Sequence, residues 1–297
     1  MTEPIWMQGP PASILLATDL SARCDRALDR AVNLALAWGA KLHIVHAIEQ
    51  DMLDREDAFT RRLRGADPAL AARARIEADL AGHVEGVAIE LHVEAADPVA
   101  LVLKVAAREG CGLIVTGVAR DQSLGRYLLG STVDYLVKHA PVPLLVVRDR
   151  ANADYRAVLV TTDLSPSSRH ALEAAARIFP DAELSLFHAY DIPFAGYLEN
   201  SAVQADFVRY GADASEKFLS EANLPDGVKA RIRQIVERGD PETLLADHAK
   251  AGDFGLVVVG SHGGGALYDL FIGSTAAAII REQPGDVLLV RDPAAAR

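Results

Sequence analysis

The sequence predicts an α/β protein made of two tandem, open-sheet, mainly parallel domains. Two observations carry this: the chain repeats itself, and within each repeat short apolar runs alternate with longer helical patterns. Ala17-Thr18-Asp19-Leu20-Ser21 returns as Thr161-Thr162-Asp163-Leu164-Ser165, and His46-Ala47 returns as His188-Ala189. Asp97-Pro98 returns as Asp240-Pro241, and Gly130-Ser131-Thr132 as Gly273-Ser274-Thr275. At an offset of 143, residues 97–149 laid on 240–292 give 17 identities in 53 gap-free positions, where chance supplies only a few. The 297 residues, half of them apolar, therefore divide into domains 1–150 and 151–297 across the polar stretch Asp149-Arg150-Ala151-Asn152-Ala153. Each half is long enough for a core of its own.

In order along the first copy, strands are expected near 13–18, 41–47, 87–94, 112–117 and 143–148. Their counterparts in the second copy are 156–162, 183–189, 229–236, 255–260 and 286–291. Ser165-Pro166 and Asp240-Pro241 each place a side-chain acceptor at a helix cap and a proline at the first helical position, where its missing N–H costs nothing. The helix after Ser21 carries Ala27, Leu28, Ala31, Val32 and Ala35 on one apolar face and stops before Gly39, a left-handed cap. Residues 52–82 and 196–222 are long helical regions rich in alanine and charge.

A net charge of −11 repels phosphate backbones and anionic lipid, which argues against nucleic acid and membrane surfaces as partners. No apolar run approaches the ~18 residues that span a bilayer, and Met1-Thr2-Glu3-Pro4 shows no export pattern, so a cytoplasmic protein is expected. Cys24 and Cys111 read as small buried side chains, since neither lies in a disulfide framework or a zinc-ligand spacing. His43 and His46 point in opposite or near-opposite strand directions and share no metal face, His46 and His188 are equivalent strand-end residues, and a packing or capping role rather than zinc is expected for each of the three. No protein side chain is assigned to a metal.

Ligands of an open parallel sheet bind beyond the carboxyl ends of the strands, where the strand order reverses. At that level Gly260-Ser261-His262-Gly263-Gly264-Gly265 follows the run ending Val257-Val258-Val259, and Gly273-Ser274-Thr275 opens a helix. Gly260 and Gly263 permit positive φ and close approach of a ligand, and the amides from Gly273 onward are unpaired helix-start donors, which together make a phosphate cradle. A plain loop ahead of an ordinary helix explains one or two of these glycines and poorly explains the same Gly-Ser-Thr recurring 143 residues away. The first strand ends in Thr-Asp-Leu-Ser without the glycines of a dinucleotide fingerprint, and Gly125 to Thr132 has Ser131 where a P-loop needs lysine. Asp163, when ionised, only accepts hydrogen bonds, which suits an adenine amine or a ribose hydroxyl and repels phosphate; capping beside Ser165 is compatible with that.

Gly260-x2-Gly263-x9-Gly273-Ser274, between a strand ending Val-Val-Val-Gly and the terminal strand Val287-Leu288-Leu289-Val290, resembles the nucleotide-binding universal stress proteins. The resemblance covers both copies and is that of a tandem member. It implies Rossmann-like, adenine nucleotide alpha hydrolase-like domains that bind ATP or another adenine nucleotide with Mg. Carried over residue by residue, it implies that Thr161, Asp163 and Ala189 frame the base and ribose. Val259, Gly260, His262, Gly263, Gly273, Ser274 and Thr275 would hold ribose and phosphates. A weaker first site would use Asp19, Ala47, Gly117, Gly130, Ser131 and Thr132. Arg120 stands where the second glycine belongs, and Val118 and Ala119 replace Ser261 and His262, so the second copy is expected to bind more tightly. The guanidinium of Arg120 either blocks the backbone or reaches a phosphate.

The expected function is a cytoplasmic ATP-binding stress-response regulator with no catalytic residues assigned. A slow ATPase or phosphotransferase and a nucleotide-independent scaffold or small-ligand carrier stay open as alternatives. The apolar terminal strands, Val142 to Val147 and Val287 to Val290, would be hazards as free edges. The resemblance implies that they pair with each other as an intrachain pseudo-dimer, with a homodimer of the whole chain and unknown protein partners beyond it.

Overall fold

A computed structural model of the chain describes residues 4–22, 24–48, 67–81, 85–120, 127–128, 130–151, 154–190, 211, 213–251, 254–261 and 273–292. One compact unit is Pro11–Asp154; the other begins at Tyr155 and includes the described part of Met1–Pro10.

In the first unit β1 (Ser13–Ala17), β2 (Lys41–Ile48), β3 (Ile89–Ala95), β4 (Leu113–Gly117) and β5 (Leu144–Val147) form a parallel sheet ordered β5-β4-β1-β2-β3. Between them run α1 (Asp25–Trp38), α2 (Pro68–Leu80), α3 (Pro98–Arg108) and α4 (Ser131–His139). α1 packs on β1 and β4, α2 on β3, and α3 on β1 and β2 beside α4. After β4, Ala119–Arg120 pairs antiparallel with Tyr127–Leu128.

The second unit repeats the plan with β6 (Ala157–Thr161), α5 (Pro166–Ile178), β7 (Glu183–Tyr190), a helix over 213–221, β8 (Arg233–Arg238), α6 (Pro241–Ala251), β9 (Leu256–Gly260), α7 (Ser274–Glu282) and β10 (Asp286–Val290). Its order is β8-β7-β6-β9-β10, again all parallel. Strands covered on both faces lose the alternating pattern, and accordingly Leu144 to Val147 and Val287 to Val290 are continuously apolar and buried. Ahead of β1, the turn Ile5–Met7 packs on α5 with Trp6 and Met7 buried, so residues 4–10 contribute to the second core.

Local chemistry sets the boundaries. Asp67, Asp97 and Ser165 accept the N–H groups of Ala69, Ala100 and Ser168, each ahead of a proline at the helix start. α1 ends on Gly39 at φ 61, as the sequence predicts. The strand expected over 229–236 is displaced: Gly227 at φ 75 and the turn Lys229–Arg231 use up its first residues, and the ladder begins only at Arg233. The described part of region 52–82 includes α2, and residues 52–66 lie outside the description, as do 196–210 of region 196–222.

Two long-range constraints fix the second unit. Tyr155 donates to Asp286 at 2.6 Å, supplying a partner to a carboxylate that is wholly buried at the start of β10. Gly260 does not adopt a positive φ; its lack of a Cβ instead lets the end of β9 approach α5, where an added Cβ would lie 3.1 Å from backbone atoms of Ser167 and Ser168. The expectation of positive φ there is corrected: the space is taken by the chain's own helix backbone, which has no flexible end to yield.

Gly260→Ala is expected to lower the unfolding free energy by about 1–3 kcal/mol through overpacking, read as a shifted denaturant midpoint at unchanged slope. Tyr155→Phe, which strips a partner from buried Asp286, is expected to cost about 1–3 kcal/mol in the same measurement.

Candidate functional site

Each sheet reverses its order beside its first strand. β1 feeds a helix on one face and β4 feeds α4 on the other, so a crevice opens beyond their carboxyl ends; β6 and β9 do the same in the second unit.

The sequence Thr-Asp-Leu-Ser builds one wall of each crevice. Leu20 N–H donates to Thr18 Oγ1 at 3.0 Å and Ser21 N–H to Asp19 Oδ1 at 2.8 Å. In the second copy Leu164 N–H donates to Thr162 Oγ1 at 2.9 Å and Ser165 N–H to Asp163 Oδ1 at 3.1 Å. These bonds hold Leu20 and Leu164 at φ 57 and φ 65, a left-handed conformation that costs a leucine about 1–2 kcal/mol. They are the two described non-glycine residues with positive φ, and they are equivalent. Both aspartates stay exposed.

His46 and His188 brace the same turns. Each presents Nδ1 to the carbonyl of the threonine before the aspartate, His46 to Thr18 and His188 to Thr162, both at 3.0 Å. A carbonyl only accepts, so each ring carries its proton on Nδ1. Of the packing or capping role expected for these two, the geometry shows a side chain that ties down a turn carbonyl, and Ala47 and Ala189 follow at the rim, half-buried.

The other predicted residues divide by what is left free. Thr161 Oγ1 donates to the Val258 carbonyl at 3.3 Å, and the Val259 side chain is core, so Val259 faces a ligand only through its backbone. Gly117 and Gly260 end the central strands β4 and β9. Ser261 is fully buried; its N–H reaches Val290 at 3.1 Å and its carbonyl takes the Gly273 N–H at 3.0 Å. The expectation that the Gly273 amide is unpaired is therefore corrected: it ties the loop's start to the helix's start.

The donors that remain begin one residue later. α4 and α7 start at Gly130 and Gly273 with no side-chain cap, unlike α2, α3 and α5. Their first helical bonds are Asp134 N–H to Gly130 and Ala277 N–H to Gly273. The amides of Ser131, Thr132 and Val133, and of Ser274, Thr275 and Ala276, precede those bonds and form two electropositive helix ends. His262, Gly263 and the Arg120 side chain lie outside the described residues. In the first copy, buried Val118 stands in place of Ser261. Cys24 stands in place of Ser168 and donates to Asp19 at 3.1 Å, while burial pushes its thiol up to about 11 and keeps it protonated.

One cluster was not legible in the sequence. Register pairs His43 with Glu90 and Val45 with His92, which brings His43 Nδ1 to 3.0 Å from His92 Nε2 on the sheet face under α3. The ring planes lie 23° apart with centroids at 5.2 Å, so the rings meet edge to edge through this hydrogen bond. Glu90 oxygens lie 3.9 Å from each ring, Lys41 pairs with Glu90 at 2.6 Å, and Arg108 reaches His92 Nδ1 at 3.1 Å. Among the described residues, His43, Glu90 and His92 are the one group of three with metal-ligand spacing. Burial lowers both histidines below their ordinary value, and the Lys41 hydrogen bond lowers Glu90. The pair's stability is thus fully present above the unfolded histidine value of 6.5 and is lost as pH falls through the depressed folded values. Urea unfolding from about pH 8 to pH 5 is expected to show that decline, with a shallower one in His92→Gln.

The family model for the universal stress protein family matches residues 12–148 and again 154–291. A universal stress protein of Mycolicibacterium smegmatis is 28% identical over 296 residues, covering 94% of this chain and 96% of that protein. A functionally unknown protein from Pseudomonas aeruginosa superposes with a TM-score of 0.66 at 21% identity over 98% of this chain and 95% of that one. A universal stress protein from Archaeoglobus fulgidus gives 0.61 at 20% identity over 94% and 98%. Two family matches on two repeats with one strand order leave a single assignment: the chain belongs to the universal stress protein family and carries two of its domains in tandem.

Proposed function

We propose that this protein is a nucleotide-responsive regulator whose second copy holds an adenine nucleotide, ATP with Mg, in the crevice between β6 and β9. The observation that carries the reading is the pairing of an exposed carboxylate with an uncapped helix start across one crevice: Asp163 at the end of β6, and the Ser274–Ala276 amides at the start of α7. An adenylate has the matching polarity. Its sugar hydroxyls and base amine donate to a carboxylate, and its phosphates accept from helix-start amides. Asp163 keeps the turn it needs for this through Ser165, and Ala189 and the Val259 backbone supply the remaining rim. His262 and Gly263 extend the phosphate end, as the family resemblance implies.

The first copy keeps Asp19, Ala47, Gly117, Gly130, Ser131 and Thr132 but has Arg120 where the second has Gly263, so it is the weaker site. Nucleotide then acts by favouring one arrangement of the protein, by no more than its differential affinity for the two arrangements. Binding rather than group transfer is the role read here: Asp163 belongs at the sugar end, away from the transferring phosphoryl, where phosphotransfer needs a base and charge stabilisation.

Calorimetric titration with ATP and magnesium is expected to show one tight site. Asp163→Ala should weaken ATP and adenosine alike by about 10–100-fold, the effect of one charged hydrogen-bond acceptor. Asp19→Ala should leave that site unchanged. Equal sites in the two copies, or loss of the tight site on Arg120→Gly, would overturn the assignment to the second copy. Absence of any ATP-induced rise in melting temperature would overturn nucleotide binding itself.

A further inference from the structure

We propose that His43, His92 and Glu90 form a site for one zinc-class divalent metal ion in the first copy, gated by Arg108. The ligand atoms lie within 4.8 Å of one another, and the two imidazole nitrogens are 3.0 Å apart. Two nitrogens bonded at about 2.0–2.1 Å to one tetrahedral ion sit about 3.3–3.4 Å apart, so the rings part by a few tenths of an ångström and tilt to aim both lone pairs at it. Two imidazoles and a carboxylate suit zinc rather than magnesium, which distinguishes this site from any nucleotide-bound cation. Both rings are buried, which favours the neutral, lone-pair-bearing form that a metal takes.

The hydrogen bonds specify the gate. Arginine only donates, so His92 Nδ1 accepts from Arg108 and the proton of neutral His92 sits on Nε2, pointing at His43 Nδ1. A metal on Nε2 requires that proton on Nδ1 instead, and Nδ1 becomes available when Arg108 turns away. Arg108 is half-exposed and is also held by Glu109 at 2.6 Å, so it leaves His92 without losing its acidic partner. Lys41, equally exposed, releases Glu90 by turning out into solvent, which gives up its own acidic partner to the ion. The ion then takes His43 Nδ1, His92 Nε2 and one Glu90 oxygen, with water completing the shell. The ring proton moves from Nε2 to Nδ1 through solvent, so no net proton is released.

The fold does not require this cluster. In the second copy the matching register pairs are Ser185 with Arg233 and Phe187 with Ile235, which hold no such ligand set. One ion per chain is therefore the expected stoichiometry.

The test titrates tag-free, chelator-stripped full chain with Zn2+ in the absence of nucleotide and magnesium. One saturable equivalent is expected, at least about tenfold weaker in His43→Gln and in His92→Gln and unchanged in His139→Gln. Arg108→Leu, on the surface, should tighten binding several-fold. Co2+ on the wild-type chain should give paramagnetically shifted signals from two imidazole rings, a readout that needs no variant to fold. No saturable binding, two equivalents, affinity indifferent to both glutamine variants or to Arg108→Leu, or no shifted ring signals would each overturn the proposal. None of these outcomes depends on whether the β6–β9 crevice binds ATP.

Discussion

Parallel pairing with a reversal beside the first strand is the constraint from which the rest of each unit follows. A parallel strand cannot be reached by a tight turn, so each strand but the last of its unit is followed by a helix that carries the chain back across a sheet face. Once the order runs β3-β2-β1 in one direction and β4-β5 in the other, the helices after β1 and β4 must diverge. The gap between them is therefore a by-product of the topology. It lies at the one end of the sheet where helix starts, with their unpaired N–H groups, collect.

What the sequence adds is the chemistry of that gap. Thr-Asp-Leu-Ser folds the chain sharply enough to force a leucine into left-handed backbone, and side-chain acceptors hold the turn in both copies. A histidine from the neighbouring strand clamps the carbonyl behind it. The strain and its braces recur together, which is the pattern expected where a turn presents a carboxylate rather than merely connecting two elements. Opposite it, a glycine begins a helix that any serine or aspartate would cap better, leaving the amides for something else.

The two copies have drifted apart where the fold permits. Both retain the turn, the bracing histidine and the Gly-Ser-Thr helix start. They differ in the loop after the fourth strand and where the second strand pairs with the third, at which the first copy buries His43 and His92 and the second has Ser185 and Ile235.

The sequence alone determined the duplication, the strand and helix order, the capped helix starts, the Gly39 stop and the aspartate and Gly-Ser-Thr pair of each crevice. Those are local: a cap, a turn or an apolar run is written in consecutive residues, and a repeat states it twice. Tertiary structure alone decided that Gly260 is there for the backbone of α5, that the Gly273 amide is spent on Ser261, that Tyr155 answers Asp286, and that His43 meets His92. Each of these joins residues from separate elements. Their meeting depends on sheet register and helix packing, and neither is encoded at any single position in the chain.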